Sequence, residues 1–524
     1  MTTAHDLPNA GEGPVAQSSP LDARRACNVI LACFVFVLVY FVGIYPGAAD
    51  ANQRSHYQLL RALAERGSAE ISPELRDLGS HTDVAVRGER RYSDKAPGLS
   101  VAAVPGYRLM RLFLPMPTSL LQWLVFYGAR VFSVTLVSAL AMGVFARYAL
   151  RRGIVPSSLP IWFFGLLFAT PFQVYCRSFF AHAFAGALLF VSFRLVSDAA
   201  SDLAAAFGGG LAAGAAVASE YPLSVVAVCL LAFVATQREP RRLGAFALGG
   251  LLVALALAAY HSRNFGGVFA FPSAANASYP ALAHRGVAGI SWPSLTGVLG
   301  LFLDPAHGLL YFSPFLILWP IVGIRSLRHI RADASLVVTA VAPLLLVLVI
   351  SGFLPPHWRG GWCLGPRYLV AALPLVFWLL LERGPSLRSP ASRALLLASI
   401  AYGAVILAVA GSTYWLIPYE SWNPARTVSL HFLRRGLVEY NLGVAAGLPP
   451  LFSLVPPLLA VAVAFGAALR GMRISARSAA PATAAGILAA ILVLAIPPSP
   501  RAVEHSHRDG LASALLPTMR AGWR

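Results

Sequence analysis

The chain has 524 residues, 57% of them hydrophobic and 12% charged, and its mean hydropathy is +0.67. A soluble protein covers its surface with roughly a quarter charged residues, so lipid must cover most of this surface, and soluble multidomain readings are excluded. The net charge of +19, from 41 Lys+Arg against 22 Asp+Glu, falls in short clusters between apolar runs, which points to cytoplasmic loops facing anionic lipid and away from nucleic acid.

Residues 1–27 form a polar tail carrying Arg24-Arg25. No small-residue cleavage site is evident, so the first apolar run reads as an uncleaved membrane helix. Apolar runs long enough to cross about 30 Å of hydrocarbon lie at about 28–46, 118–147, 155–171, 179–197, 202–219, 220–236, 242–262, 308–324, 335–353, 367–383, 391–412, 449–470 and 480–497. If they alternate, the basic clusters all fall on one side, which places the N-terminus in the cytoplasm and the C-terminus outside. Residues 99–116 are also apolar, but a full span there would invert every later loop. They read as a re-entrant or interfacial segment.

The expectation is an all-α polytopic membrane protein with about thirteen crossings in a domain at 28–497 and a polar tail at 498–524. Its long external loops are 47–98, 263–307, 354–366 and 413–447, with a short one near 172–177. The five cysteines show neither metal-ligand spacing nor a disulfide framework.

The first external loop opens on Asp50. His56, Leu59, Leu60 and Leu63 recur on one helical face, with Arg54, Gln58, Arg61 and Glu65 opposite. This predicts an amphipathic helix on the membrane surface that Gly67 can end. Asp50 with Gln53 also fits a capping box, worth about 1 kcal/mol, and a capping carboxylate at the membrane surface is still reachable. The loop closes on Arg90-Arg91-Tyr92-Ser93-Asp94-Lys95-Ala96-Pro97-Gly98. The plain reading of Asp94-Lys95 is a solvated pair in a turn. A lysine held at headgroup level is equally placed to grip a lipid phosphate, and beside an acid it stays charged.

Later segments add candidates. Glu220, in Ser219-Glu220-Tyr221-Pro222, lies at the outer junction of two apolar runs. A carboxylate inside a membrane domain is unfavourable and usually functional; at an exposed junction it only makes a turn. Asn276-Ala277-Ser278 matches a glycosylation sequon. Asp304 and His307 stand at a helix start, where capping and turn formation account for them. His357, Arg359 and Arg367 lie among glycines and tryptophans in the segment 355–368. An aromatic belt explains the tryptophans, whereas arginines among glycines suit close approach to an anionic group.

On these residues the first external loop resembles that of GT-C glycosyltransferases, in particular the aminoarabinose transferase and protein O-mannosyltransferase group. That family opens the loop on Asp-Glu and closes it on Tyr-Phe-Glu-Lys-Pro-Pro. Here Asp50-Ala51 and Tyr92-Ser93-Asp94-Lys95-Ala96-Pro97 stand in those places, so nothing attached to the second acid carries over to Ala51. The Tyr92–Gly98 and Gly365–Tyr368 segments are also similar to uncharacterised bacterial envelope proteins.

The resemblance implies a GT-C-like fold in the cytoplasmic (inner) membrane. It implies transfer of a sugar from a polyprenyl-phosphate-linked donor to an envelope acceptor, whether glycan, lipid or protein, at the external face. Asp50 matches the catalytic carboxylate and Lys95 the lysine at the carrier phosphate, with Arg359 and Arg367 completing the phosphate site. Asp94, Tyr92, His357, Glu220, Asp304 and His307 would support it. No metal or other cofactor and no nucleic-acid partner is expected. The alternative class is a transporter or flippase for a lipid-linked or anionic substrate. That class favours internal repeats and charges near the midplane, whereas here the charges collect at the ends of the runs.

Overall fold

A computed structural model describes residues 19–43, 51–114, 119–154, 157–198, 202–280, 286, 289–353, 357–385, 387, 389–417 and 421–496. Six helices are long and apolar enough to cross a membrane: Pro20–Tyr40, Leu121–Arg151, Pro240–Phe265, Pro390–Gly411, Phe452–Gly471 and Arg477–Ala495. Leu159–Phe168, Ala181–Ser197, Leu203–Ser219, Tyr221–Thr236 and Val337–Ser351 are shorter apolar helices. Every apolar run read from the sequence is therefore largely helical, and the protein is a polytopic membrane protein. Among the described residues, however, only six helices reach full crossing length. The run at 308–324, for example, breaks after Leu309–Phe312 and resumes at Leu318–Ser326, because Pro314 has no amide hydrogen to continue the ladder.

A continuous buried core joins the bundle and includes Trp162, Trp319, Trp378 and Trp415. Helices Pro240–Phe265 and Arg477–Ala495 lie at its edge, reaching it through Phe246, Ala479 and Ala490 but only 11% and 17% buried within the protein. Apolar helices that exposed must face lipid.

The connections between helices meet in two groups. At one end Arg473 pairs with Asp22 at 3.0 Å, Arg383 pairs with Asp333, and Arg242 donates to the Val196 and Asp198 carbonyls. At the other, single β-bridges join Phe41 to Asn441, Ala85 to Asn276 and Ile290 to Phe353, and the Cys363 amide donates to the Ile417 carbonyl. The long loops assigned to one face thus meet one another.

The site lies in the segment between the first two long helices. Helix α1 (Pro20–Tyr40) starts on Ser19, whose hydroxyl accepts from the Asp22 amide. Helix α2 (Ala51–Arg66) ends at Gly67, which takes φ +63°, a conformation glycine adopts without steric penalty. A short helix α3 (Ser72–Leu78) and an antiparallel hairpin of β1 (Val84–Arg87) and β2 (Arg90–Ser93) follow. Nothing in the periodicity announced this ribbon.

It changes the expected surface helix. The face of α2 intended for water is covered, and Gln58 is fully buried, donating to the Gly79 carbonyl at 3.0 Å and pairing with His81 at 2.9 Å. Helix α4 (Gly98–Phe113) has 16 residues, about 24 Å at 1.5 Å per residue, too short to cross. It packs along α2, where the Tyr107 hydroxyl donates to Glu65 at 2.6 Å, and leaves Val101, Leu109, Leu112 and Phe113 exposed. It occupies the stretch 99–116 for which a re-entrant or interfacial segment is expected.

Candidate active site

Lys95 sits in the turn between β2 and α4, and three local contacts fix that turn. The Lys95 amide donates to the Ser93 hydroxyl at 3.1 Å; Ser93 pairs with Ser55 of α2 at 2.7 Å; Ser55 donates to the Asp83 carbonyl at 2.8 Å. Gly98 then presses on the C-terminal end of helix Leu203–Ser219. A β-carbon there would lie 2.4 Å from the Ser219 hydroxyl and 2.7 Å from the Ala218 carbonyl.

The Lys95 ammonium reaches two carboxylates, Asp83 at 2.8 Å and Asp94 at 3.0 Å. Asp94 also accepts from the Asn276 amide at 2.8 Å, and the same amide nitrogen donates to the Thr82 carbonyl at 3.0 Å. Asn276 is therefore buried and committed to the site, and the sequon at 276–278 does not act as a glycan acceptor. Two loops far apart in sequence close on one ion cluster.

The electrostatics separate the two acids. Burial pushes Asp94 up to about 6, with Lys95 opposing and the like charge of Asp83 adding to the rise. Burial works on Asp83 in the same direction and is the largest single influence, but Lys95, Arg367 and His81 together outweigh it and hold that carboxyl below its ordinary range. Burial disfavours the Lys95 charge, and the two carboxylates more than restore it. His56 and His81 are pushed down to about 3 and about 4, mainly by burial, so both are neutral near pH 7.

Arg367 lies within electrostatic reach of Lys95, Asp83 and His56. Its guanidinium lies against Phe180 and Tyr368 and donates to the Tyr368 hydroxyl at 3.2 Å. It forms no ion pair with a carboxylate among the described residues, and its Nε is buried without a hydrogen-bond partner. Gly360, at φ +86°, makes room for it: a β-carbon there would lie 2.9 Å from that Nε. The glycines expected to let an anion approach instead let the arginine side chain lie across the backbone. Glu220 joins the same region through His182, whose Nδ1 is 3.0 Å from the carboxylate. Both feel Arg367 and Lys95.

The other expected residues make contacts of their own. Arg359 is committed to Asp304 through Nε at 3.1 Å and Nη2 at 2.7 Å, and Asp304 also caps the Ala306 and His307 amides at 2.9 Å. This trio forms a loop brace in which His307 is buried. His357 meets the Tyr279 ring edge-on at 5.9 Å. Tyr92 is buried against Phe265 and acts through packing. Asp50 lies outside the described residues. Gln53, its expected capping partner, accepts from the Phe179 amide at 2.6 Å and donates to the Gly43 carbonyl at 3.4 Å.

The sequence reading missed Asp83, Asn276 and His182. Asp83 and His182 carry no local signal, and the sequon match drew Asn276 to another role. A cavity of about 410 Å³ lies at the opposite end, lined in part by Arg152, Asp333, Trp378 and Glu382, away from this cluster. No group of three His, Cys, Asp or Glu among the described residues is arranged to hold a metal ion.

The arrangement offers two cations and three carboxylates at the loop end of a lipid-embedded bundle. One cation is shared by two acids; the other meets no carboxylate among the described residues. Such a site can hold a phosphate at its arginine while its carboxylates accept hydroxyl hydrogens.

The sequence matches no family model and no curated protein. Two solved structures resemble the fold at 17% identity, each covering 88% of this chain and 77% of its own. They are ArnT from Cupriavidus metallidurans in the apo state, with a TM-score of 0.46, and the same protein bound to undecaprenyl phosphate, with a TM-score of 0.45. At that distance the likeness is one of chain path, and activity does not carry over with it.

Proposed function

We propose that this chain is a GT-C-type glycosyltransferase that moves a hexose or pentose from a polyprenyl-phosphate carrier to an envelope acceptor at the outer face of the cytoplasmic membrane. The observation that carries the reading is the Arg367 guanidinium, without an acidic partner among the described residues and set beside Lys95 at the loop end of an apolar bundle. The Tyr92–Pro97 motif supports it independently, through its resemblance to the lysine-bearing end of the family's first external loop.

The carrier tail stays in the bilayer while Arg367 and Lys95 take its phosphate. An acceptor hydroxyl oxygen attacks the anomeric carbon as the bond from that carbon to the phosphate oxygen breaks. The leaving phosphate gains negative charge, which the two cations stabilise. The hydroxyl proton passes to Asp50, the residue that precedes α2 in the sequence, and from there to solvent. Arg359, held by Asp304, shapes the loop that carries Arg367.

Full-length protein in proteoliposomes, supplied with polyprenyl-phosphate sugars and envelope extract, tests this. Arg367→Ala should cut transfer by about a hundredfold, on the order expected for one charge-stabilising donor. Asp50→Asn should abolish transfer with membrane expression intact; full activity in that variant would remove Asp50 from its role. Cells lacking the gene should lose a sugar modification by mass spectrometry of envelope glycans and glycolipids. An unchanged envelope would sink the transferase reading.

A further inference from the structure

We infer that Glu220, held in place by His182, is the group that recognises the carrier-bound sugar, accepting a hydrogen bond from one of its hydroxyls while Arg367 and Lys95 hold the phosphate. The inference rests on the transferase reading above and assigns a second subsite to it.

Three observations converge on Glu220. It is the partly accessible member of its pair: its side chain is 20% exposed and that of His182 is 3% exposed. Its position is set from both sides. Gly98 packs against Ser219 and so places the Lys95 turn one residue from Glu220. Gly186 packs against the Ala371 backbone, which lays the segment carrying Arg367 along the helix that begins at Ala181 and carries His182. Tyr368 closes on the His182 ring edge-on at 5.5 Å, and Tyr175 does so at 5.7 Å.

The ligand chemistry follows from charge. A carboxylate beside the phosphate subsite repels a second anion and cannot donate a hydrogen bond when ionised. What it can take is a hydrogen-bond donor one group away from the phosphate, where a carrier-linked sugar has its hydroxyls. His182 has a different task. Its Nδ1 faces Glu220, its Nε2 is buried without a partner, and aromatic rings surround it. It touches no substrate and acts as a positioning residue that fixes the carboxylate rotamer, as outer partners orient ligating groups elsewhere.

The test uses full-length protein in nanodiscs, with affinity measured for bare undecaprenyl phosphate and for the same carrier bearing glucose, mannose or arabinose. The wild type should bind at least one loaded carrier more tightly than the bare one. Glu220→Gln should cut that preference about tenfold, the worth of a hydrogen bond to a charged group, and should tighten bare-carrier binding because a negative charge leaves the neighbourhood of Arg367. His182→Ala should lose most of the preference. His182→Asn should restore much of it, since its amide can donate from near the Nδ1 position; a merely structural role would not follow this donor rule.

Equal loss for loaded and bare carriers in Glu220→Gln, or an unchanged preference, overturns the inference. Bare-carrier binding with no sugar preference in the wild type also overturns it and leaves the transferase reading standing. No carrier binding at all, in wild type and Arg367→Ala alike, overturns both.

Discussion

Lys95 has two carboxylates within 3.0 Å, whereas Arg367 has none among the described residues. The lysine that motif resemblance assigns to the carrier phosphate is therefore already largely neutralised, and the arginine is the stronger anion site. This yields a pH prediction. Asp94 is raised to about 6, so it gains a proton as pH falls from 7.5 to 5.5, leaving Lys95 with Asp83 alone.

Affinity for a sugar-loaded carrier, a phosphodiester of constant charge, should rise about threefold over that window as local negative charge falls. His56 and His81, pushed down to about 3 and about 4, stay neutral there. Asp94→Asn should bind more tightly than the wild type at pH 7.5 and show a smaller rise on going to pH 5.5; an unchanged rise in that variant would exclude Asp94. Stability runs by the same sign. A carboxyl whose folded pKa is raised contributes stability below the ordinary carboxylate pKa and loses it as pH rises through about 6, opposite to Asp83.

The first external segment works as an element because its parts brace one another. Ser55, Ser93 and Asp83 tie α2 to the hairpin, and the Lys95–Gly98 turn leans on Ala218 and Ser219. A methyl group at residue 98 meets backbone that cannot swing aside. Gly98→Ala should therefore leave membrane insertion intact and lower transfer at least tenfold, with the larger change in donor KM, because the turn is pushed away from Arg367. Wild-type donor KM in that variant would show that the turn does not position the phosphate site.

Helix α2 was legible as a helix, from the spacing of His56, Leu59, Leu60 and Leu63 and the stop at Gly67. Its burial was not. The residues that cover it lie in α3 and the hairpin, whose short alternating strands are too brief to stand out against turn signals.

For the whole molecule, the two ends of the bundle make the alternation testable. Trp292 is 89% exposed at the end where the long loops meet, and Arg477 begins a helix at the other end. With the five native cysteines replaced, Trp292→Cys should react with an impermeant maleimide in intact cells, and Arg477→Cys only after permeabilisation. The reverse pattern would invert the orientation and move the site to the cytoplasmic face. Buried ion pairs join the segments at the loop end. Arg177 meets Glu439 at 2.7 Å with both side chains sealed from solvent. Pairs of this kind help the external loops form one floor.

Composition and the spacing of apolar runs determined by themselves that this chain lives in a membrane and where its helices form. Those properties depend on local hydrophobicity and charge, which are written residue by residue. They also marked Asp94, Lys95, Glu220 and Arg367, because polar groups stand out against apolar sequence. Only the tertiary structure decided which charges meet. It gave Arg359 to Asp304 and left Arg367 without an acid among the described residues, and it brought Asn276 to Asp94 across 182 residues and His182 to Glu220. Ion pairing depends on separations of a few ångströms between distant segments, and no local pattern encodes them.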